Sequence, residues 1–161
     1  GQYSIGLCQK KAGLKATILD FEPVRKYADE CISRENIKDQ VDFKACNFIT
    51  EDLPGNTDIA LLFNIIHGFE KEDNIKLFHK IFKSLNNGGQ LVILDQINGI
   101  GGKSQMSRAT TSFMALNLFH QANGNTFSHS EIEEWGTKVG FKNCTLKKLH
   151  APGFGLIICK K

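Results

Sequence analysis

The stretch Thr57-Asp-Ile-Ala-Leu-Leu-Phe-Asn-Ile-Ile-His67 is a nearly continuous apolar run that leads to a histidine. Apolar residues without alternation are typical of a strand that is buried on both faces of a parallel sheet. Reactive groups of open parallel sheets lie beyond the carboxyl ends of the strands, where His67 stands. The stretch therefore predicts an α/β fold and makes His67 a candidate catalytic residue.

Strand-length and helix-length segments alternate around this run. We predict strands at residues 14–20, 41–46, 57–63 and 90–95, and helices at 22–35 and around 75–85. Pro23 fits the first turn of the first helix, and Asn87-Gly-Gly89 is the stop signal of the second. The alternation predicts a mostly parallel, Rossmann-like twisted sheet with helices on both faces.

The pattern changes after Asp95. We predict a loop at 98–102, helices at 105–121 and 130–139, and strands at 141–149 and 154–159. Gly140 ends the last helix, and Ala151-Pro-Gly153 is a turn signal between the two strands. These strands are expected to form an antiparallel hairpin on the edge of the sheet.

Composition limits the class of protein. A chain of 161 residues with 41% hydrophobic residues is expected to form one domain over residues 1–161. Its charge of +3 comes from scattered lysines, which gives no argument for nucleic acid, and no apolar stretch is long enough to span a membrane. The five cysteines lie far apart, which favours a cytoplasmic location and argues against a metal site.

The segment Leu62-Phe-Asn-Ile-Ile-His-Gly-Phe-Glu-Lys-Glu-Asp73 resembles the LHDW-D/E block of the S-adenosylmethionine-dependent small-molecule O-methyltransferases, which include plant phenolic and bacterial polyketide enzymes. The resemblance runs nearly end to end. It implies S-adenosylmethionine as cofactor and methyl transfer to a hydroxyl of a small aromatic or polyketide-like acceptor. It also implies a homodimer, built through a helical N-terminal domain that this sequence does not contain.

The resemblance implies that the family's first strand and most of its D-x-G-G-G-x-G loop are missing. Gly1 matches the last glycine of that loop, and Gln2-Tyr-Ser-Ile5 resembles the helix start that follows. We therefore expect the sequence to be a fragment. Because the centre of the sheet would lack a neighbour, we expect the chain as given to aggregate or to bind the cofactor poorly.

The cofactor residues implied by the resemblance follow the strands. Asp20, followed by Phe21, matches the acid that accepts the ribose hydroxyls, although it could instead cap the next helix. Asn47 and Phe48 stand where the family has an acid for the adenine amino group and an apolar neighbour. They could instead shape a turn and fill the core. Asn64 is the nearest polar substitute for the residue that binds the methionine part.

The resemblance makes His67 the general base, because a neutral imidazole can take the proton of the acceptor hydroxyl near neutral pH. A capping or core role is the alternative. Gly68 and Phe69 replace the aspartate and tryptophan of the motif. Thr126 stands where many members have a glutamate that orients the base, and a hydroxyl stabilises an imidazolium less than a carboxylate does.

The helix at 105–121 corresponds to the family's acceptor pocket, although ordinary core packing is the alternative for each of its residues. The candidate acceptor residues are Met106, Phe113, Met114, Asn117 and His120. Glu70, Glu72 and Asp73 look like paired acids, but they fit better as the first turn of a helix than as metal ligands.

Two other classes stay open. A nicotinamide- or flavin-dependent oxidoreductase could use a similar sheet, but it needs a G-x-G-x-x-G turn that this sequence lacks. A non-catalytic relic or partner-binding domain would account for the missing glycine loop and for the weakened surroundings of the base.

Overall fold

The computed structural model describes residues 1–100, 105–122, 124–151 and 153–161, and within 105–122 it describes the side chains of residues 105, 106, 109, 112, 113 and 115–120. Two compact units follow one another along the chain, Gly1–Leu53 and Pro54–Lys161. That residues 1–161 form a single domain stays a prediction.

The first unit is a small α/β layer. Its elements are α1 (Gln2–Lys10), β1 (Ala16–Asp20), a 3₁₀ turn (Glu22–Val24), α2 (Arg25–Arg34) and β2 (Val41–Ala45). The strands pair in parallel, with Ala16 opposite Val41 and Asp20 opposite Ala45. Apolar side chains of both helices, both strands and the α2–β2 connection form its core, namely Ile5, Cys8, Ile18, Ala28, Ile32, Ile37, Val41 and Phe43. This arrangement confirms the predicted strand–helix–strand order, with Pro23 in the 3₁₀ turn.

The second unit holds the larger, mixed sheet. Its elements are β3 (Thr57–Phe63), a 3₁₀ turn (Ile66–Gly68), α3 (Lys71–Ser84), β4 (Leu85–Asn98), α4 (Gln105–Ala122), β5 (Phe127–Ser128), α5 (His129–Val139), β6 (Lys142–Lys148) and β7 (Phe154–Lys160). The strand order is β3-β4-β7-β6, with β5 beside β4. Parallel β3–β4 pairing and the antiparallel β6–β7 hairpin confirm the predicted α/β class.

The predicted single sheet is two ladders. β1 and β2 form the sheet of the first unit, and the five strands of the second unit form the other sheet.

The stop signal at residues 87–89 has a different role from the predicted one. α3 already ends at Ser84, and the chain passes directly into β4. Between Thr57 and Ile59 the β3–β4 register shifts, and Gly88 has a φ of +79° at this bulge. A Cβ on Gly89 would lie 3.1 Å from the Asp58 carbonyl oxygen. The glycines therefore permit a bulge where two backbones approach closely.

Aromatic residues fill the core of the second unit. Trp135 on α5 is fully buried and makes edge contacts with Phe127 at 4.7 Å and Phe78 at 6.0 Å between ring centroids. A capping box of Ser128 and Glu131 begins α5, and Gly140 ends it with a φ of +115°. No helix in the described ranges has both the length and the apolar character of a membrane span.

Two cysteines are paired in a way that the sequence spacing did not predict. Cys144 on β6 and Cys159 on β7 form a disulfide, although 15 positions separate them along the chain. The hairpin brings them together because β6 and β7 are adjacent antiparallel strands. Cys8 and Cys31 are free thiols. The disulfide contradicts part of the argument for a reducing compartment, which was drawn from all five cysteines, and the cytoplasmic location stays a prediction.

Candidate active site

Asp20 lies at the carboxyl end of β1. Its Oδ1 accepts a hydrogen bond from the Phe21 N–H at 2.8 Å, and its backbone oxygen accepts one from the Cys46 N–H at 2.9 Å. The residues that cap the following helical segments are Phe21 and Val24, and neither segment has a side-chain cap. The alternative that Asp20 caps the next helix is therefore wrong. Neither of its carboxylate oxygens is used as a helix cap.

An aromatic pair stands beside this carboxylate. Phe21 follows β1 and Phe48 follows β2, with ring centroids 5.4 Å apart and planes tilted by 35°. Phe21 is 41% exposed, so part of its ring is not covered by the first unit. A carboxylate next to exposed aromatic surface is a suitable combination for a nucleoside, because it offers a ribose acceptor and an apolar wall.

Asn47 shapes a turn directly after β2. Its Oδ1 accepts hydrogen bonds from the backbone N–H groups of Ile49 at 3.2 Å and Thr50 at 3.3 Å. The side-chain oxygen of Asn47 therefore stabilises the turn, as the alternative interpretation of this residue predicted. A contact of Asn47 with the cofactor stays a prediction.

Gly1 directly precedes α1, and its carbonyl oxygen accepts the first helical hydrogen bond from Ile5 at 3.1 Å. A Cβ at this position would overlap the side chain of Ile18 on β1. Glycine therefore lets the start of α1 approach β1 closely, as the predicted loop requires.

Asn64 is the first residue beyond β3. Its N–H donates to the Leu94 carbonyl oxygen at 2.8 Å, and its φ of +56° lies in the left-handed region. Asparagine tolerates this conformation better than most residues. The backbone thus turns sharply between β3 and the 3₁₀ turn that carries His67.

His67 and Asp95 form a hydrogen-bonded pair, with His67 in the 3₁₀ turn after β3 and Asp95 inside β4. His67 Nδ1 lies 2.7 Å from Asp95 Oδ1, with the aspartate side chain fully buried and the histidine side chain 21% exposed. The same Oδ1 accepts the Gln96 N–H at 2.8 Å, which fixes the carboxylate. The pair therefore has one fixed member and one that still reaches solvent.

The pairing determines which imidazole nitrogen can act. An ionised carboxylate only accepts hydrogen bonds, so Nδ1 must carry the proton and Nε2 keeps a free lone pair. The hydrogen bond to Asp95 raises the pKa of the His67 imidazole, against the opposing effect of burial. This is the geometry of a general base that is held in one tautomer by an aspartate.

The raised pKa of His67 gives a prediction about pH. An unfolded histidine titrates near pH 6.5. Below that pH the His67–Asp95 pair contributes its full share to the free energy of unfolding, and this share is lost as the pH rises through the raised pKa of folded His67. We expect the His67 ring to titrate above pH 6.5 by NMR. Asp95→Asn should lower this midpoint, and an unchanged midpoint in the variant would contradict the pairing.

The segment before β5 contacts the backbone of His67. The Asn125 N–H donates to the His67 carbonyl oxygen at 2.7 Å, and a Cβ on Gly124 would lie 2.7 Å from the same oxygen. Thr126 donates its N–H to Asn125 Oδ1 at 2.9 Å. Among the described hydrogen bonds none joins the Thr126 hydroxyl to the imidazole, so its orienting role stays a prediction.

Asp95 is a residue of the candidate site that sequence reasoning missed. A signal was present, because Asp95 ends the apolar run 90–95, just as His67 follows the run 57–63. Carboxyl ends of neighbouring parallel strands meet at one edge of a sheet. A buried acid at that place is a natural partner for a histidine on the next strand.

The candidate acceptor residues lie on α4. Met106 is 76% exposed and Phe113 is 69% exposed, so neither side chain is part of the core of this chain. Asn117 and His120, with Phe113, line a shallow groove of about 400 Å³. Met114 lies outside the described side chains.

The acidic cluster lies where a helix start was expected. Glu72 and Asp73 are in the first turn of α3, and Glu70 is its N-cap residue, which confirms the helical interpretation. In the described part of the chain, no three histidine, cysteine, aspartate or glutamate side chains are grouped to hold a metal ion.

Comparison with known proteins decides the family. Residues 7–142 match the family model described as the O-methyltransferase domain. The chain belongs to this O-methyltransferase family. The resemblance of residues 62–73 is thereby confirmed.

Two curated relatives are about a quarter identical to the chain over the aligned residues. It is 26% identical to the L-tyrosine C(3)-methyltransferase of Streptomyces lavendulae, over 98% of this chain and 44% of the relative. It is 24% identical to the 3-hydroxy-5-methyl-1-naphthoate 3-O-methyltransferase of Streptomyces sahachiroi, over 95% and 44%. The chain thus spans less than half the length of these relatives.

Solved structures of O-methyltransferases share the fold. A putative O-methyltransferase from Nostoc punctiforme has a TM-score of 0.86 at 20% identity, over 99% of this chain and 48% of that one. The mitomycin 7-O-methyltransferase MmcR has a TM-score of 0.85 at 20% identity, over 96% and 44%.

Proposed function

We propose that the protein containing this chain transfers a methyl group from S-adenosylmethionine to a hydroxyl of a small aromatic or polyketide-like acceptor. The buried His67–Asp95 pair carries the proposal, because it supplies an oriented base at the carboxyl ends of two sheet strands. The family match and the small aromatic substrates in the names of relatives support the acceptor class.

His67 acts on the acceptor in this mechanism. S-adenosylmethionine supplies, when bound, a methyl group activated by a sulfonium. His67 Nε2 would take the proton of the acceptor hydroxyl and so make its oxygen nucleophilic; the cofactor would supply the methyl group and leave as S-adenosylhomocysteine. Asp95 stabilises the imidazolium that forms, and the Asn125–His67 backbone bond holds the turn in place. Thr126 is proposed as a weaker second partner of the base.

The cofactor is proposed to lie against the ends of β1 and β2. Asp20 accepts from the ribose hydroxyls, Phe21 and Phe48 supply the apolar wall, and Asn47 contacts the adenine. Gly1 and Asn64 are proposed to contact the remainder of the cofactor. Dimerisation of the full-length protein and cytoplasmic location also stay predictions.

Loss of the Asp20 carboxylate should weaken cofactor binding. In the full-length protein we expect Asp20→Ala to cost about 1.5–3 kcal/mol of binding free energy for S-adenosylhomocysteine, because a charged acceptor loses its hydrogen bonds to the ribose. Isothermal titration calorimetry measures this cost directly.

Asp42→Ala is the matched control for Asp20→Ala. Asp42 Oδ1 also accepts the N–H of its following residue, Phe43, at 2.8 Å, but Asp42 lies within β2 and not at a strand end. Its replacement should leave the affinity unchanged. Equal affinities of both variants and the parent would remove Asp20 from the site.

C-methylation of a phenol is a second candidate reaction. The relative named L-tyrosine C(3)-methyltransferase favours it, and removal of a phenolic proton by His67 would also activate the neighbouring ring carbon. We would incubate the full-length protein with S-adenosylmethionine and a panel of phenols and hydroxylated polyketides. NMR of the products separates O-methyl from C-methyl groups. Cofactor binding without any product would favour the non-catalytic alternative.

A further inference from the structure

The turn after β2 uses nearly every hydrogen-bonding group of Asn47. Its backbone oxygen accepts from Thr50 at 3.0 Å and Glu51 at 2.7 Å, and its backbone N–H donates to Glu51 Oε1 at 3.1 Å. Its side-chain oxygen accepts from two further backbone N–H groups, of Ile49 and Thr50.

These contacts fix the orientation of the Asn47 amide. Both partners of the side chain are N–H donors, so the atom that faces them must be the oxygen and not the nitrogen. The Nδ2 group therefore points away from the turn. Within the described part of the chain no acceptor meets Nδ2, and Asn47 is only partly buried, so an incoming molecule can reach it.

The surroundings of Nδ2 suit a purine. Phe48, the next residue, forms the tilted aromatic pair with Phe21 at the same end of the β1–β2 ladder. Asp20 and Cys46 are joined there by a backbone hydrogen bond. A flat heterocycle against these rings would present its edge to the Asn47 side chain.

We propose that Asn47 selects the cofactor by donating Nδ2–H to adenine N1, rather than by accepting from the adenine amino group. This inference rests on the proposed function, since it assumes that an adenosyl cofactor occupies this end of the ladder. An acidic residue at this position would accept a hydrogen bond from the adenine, whereas Asn47 donates one to it. The adenine is then recognised by its ring nitrogen, and its amino group is not required by Asn47.

The test compares two ligands with the full-length protein. S-adenosylhomocysteine is one, and its 1-deaza analogue, in which a C–H replaces N1 while the amino group stays, is the other. We expect the analogue to bind roughly 2–10-fold more weakly, which corresponds to the loss of one hydrogen bond. Equal affinities would overturn the inference alone, whereas no binding of S-adenosylhomocysteine would overturn the proposed function and the inference with it.

Asn47→Asp removes the Nδ2 donor and keeps an oxygen that can accept the hydrogen bonds of the turn. A carboxylate can still accept the N–H groups of Ile49 and Thr50, so the turn is kept, but no donor remains for N1. We expect weaker binding of S-adenosylhomocysteine, by at least the same factor, and loss of the discrimination against the 1-deaza analogue. Tighter binding would show that the position accepts from the amino group and would overturn the inference.

Asn47→Ser is the second variant for the donor test. Its hydroxyl also caps turns, and it lacks the amide nitrogen. Thermal unfolding of both variants checks that the turn is intact. If Asn47→Ser folded and kept the discrimination between the two ligands, the Nδ2 donor would be ruled out.

Discussion

Replacing His67 by alanine is expected to lower methyl-transfer turnover by about 10²–10⁴-fold while the affinity for S-adenosylhomocysteine stays nearly unchanged. The reason is that His67 is proposed to act on the acceptor hydroxyl, whereas the proposed cofactor contacts come mainly from residues at the ends of β1 and β2. Steady-state rates of the full-length protein on its best acceptor, measured across pH, give the size of the loss.

A matched control for His67→Ala exists on α3. His79 lies on that helix, outside the proposed site, so His79→Ala should keep full turnover. The parent rate should rise with pH through the raised pKa of His67, because only the neutral imidazole accepts a proton. Full turnover of His67→Ala would make the histidine structural and would require another base.

Asp95→Asn is expected to reduce turnover by about 10²–10⁴-fold, since an amide cannot stabilise the imidazolium as a carboxylate does. Asparagine keeps the size of the side chain and an oxygen for the Gln96 N–H, so the fold should persist. The pH at which the rate rises should also fall, because the residue that raises the pKa of His67 is gone. A pH–rate profile and a thermal unfolding curve separate this effect from simple destabilisation.

Thr126 tests which residue supports the base. Thr126→Val should change turnover much less than Asp95→Asn, because the structure places Asp95 and not the Thr126 hydroxyl against Nδ1. Thr126→Glu would add a second carboxylate near the base and should raise the rate at neutral pH. If Thr126→Val lowered turnover more than Asp95→Asn, Thr126 and not Asp95 would be the main partner of the His67 imidazole.

Sequence patterns predicted those elements whose structure depends on residues that are close together in the sequence. The apolar run 57–63 became β3 with the predicted bounds, and Gly140 ends α5 in the left-handed conformation that glycine favours. The expected burial of this strand on both faces was wrong, because Leu62 is its only buried residue and Ile59 is 53% exposed. Strand-forming side chains and the special backbone angles of helix ends still mark these elements. Such requirements are visible in a few neighbouring residues.

Features that depend on distant parts of the chain were not predictable in this way. The ends of two apolar runs marked Asp95 and His67 separately, but the residues lie 28 positions apart and their contact requires the β3–β4 register, which no local pattern records. The Cys144–Cys159 bond depends in the same way on the register of the hairpin. The glycines at 88 and 89 were recognised as breakers, but their use in a bulge depends on β3.

The chain's excursion through α4 begins and ends on neighbouring strands. It leaves the sheet after Asn98 and returns at β5, where Phe127 pairs with Ile97, next to the Asn125–His67 backbone bond. Both ends of the excursion are thus anchored on the framework that holds the base. If His67 is the base and α4 lines the acceptor pocket, as proposed, this helix and with it the choice of acceptor could change while the residues of proton transfer stay the same. One catalytic framework could then serve a series of enzymes with different substrates.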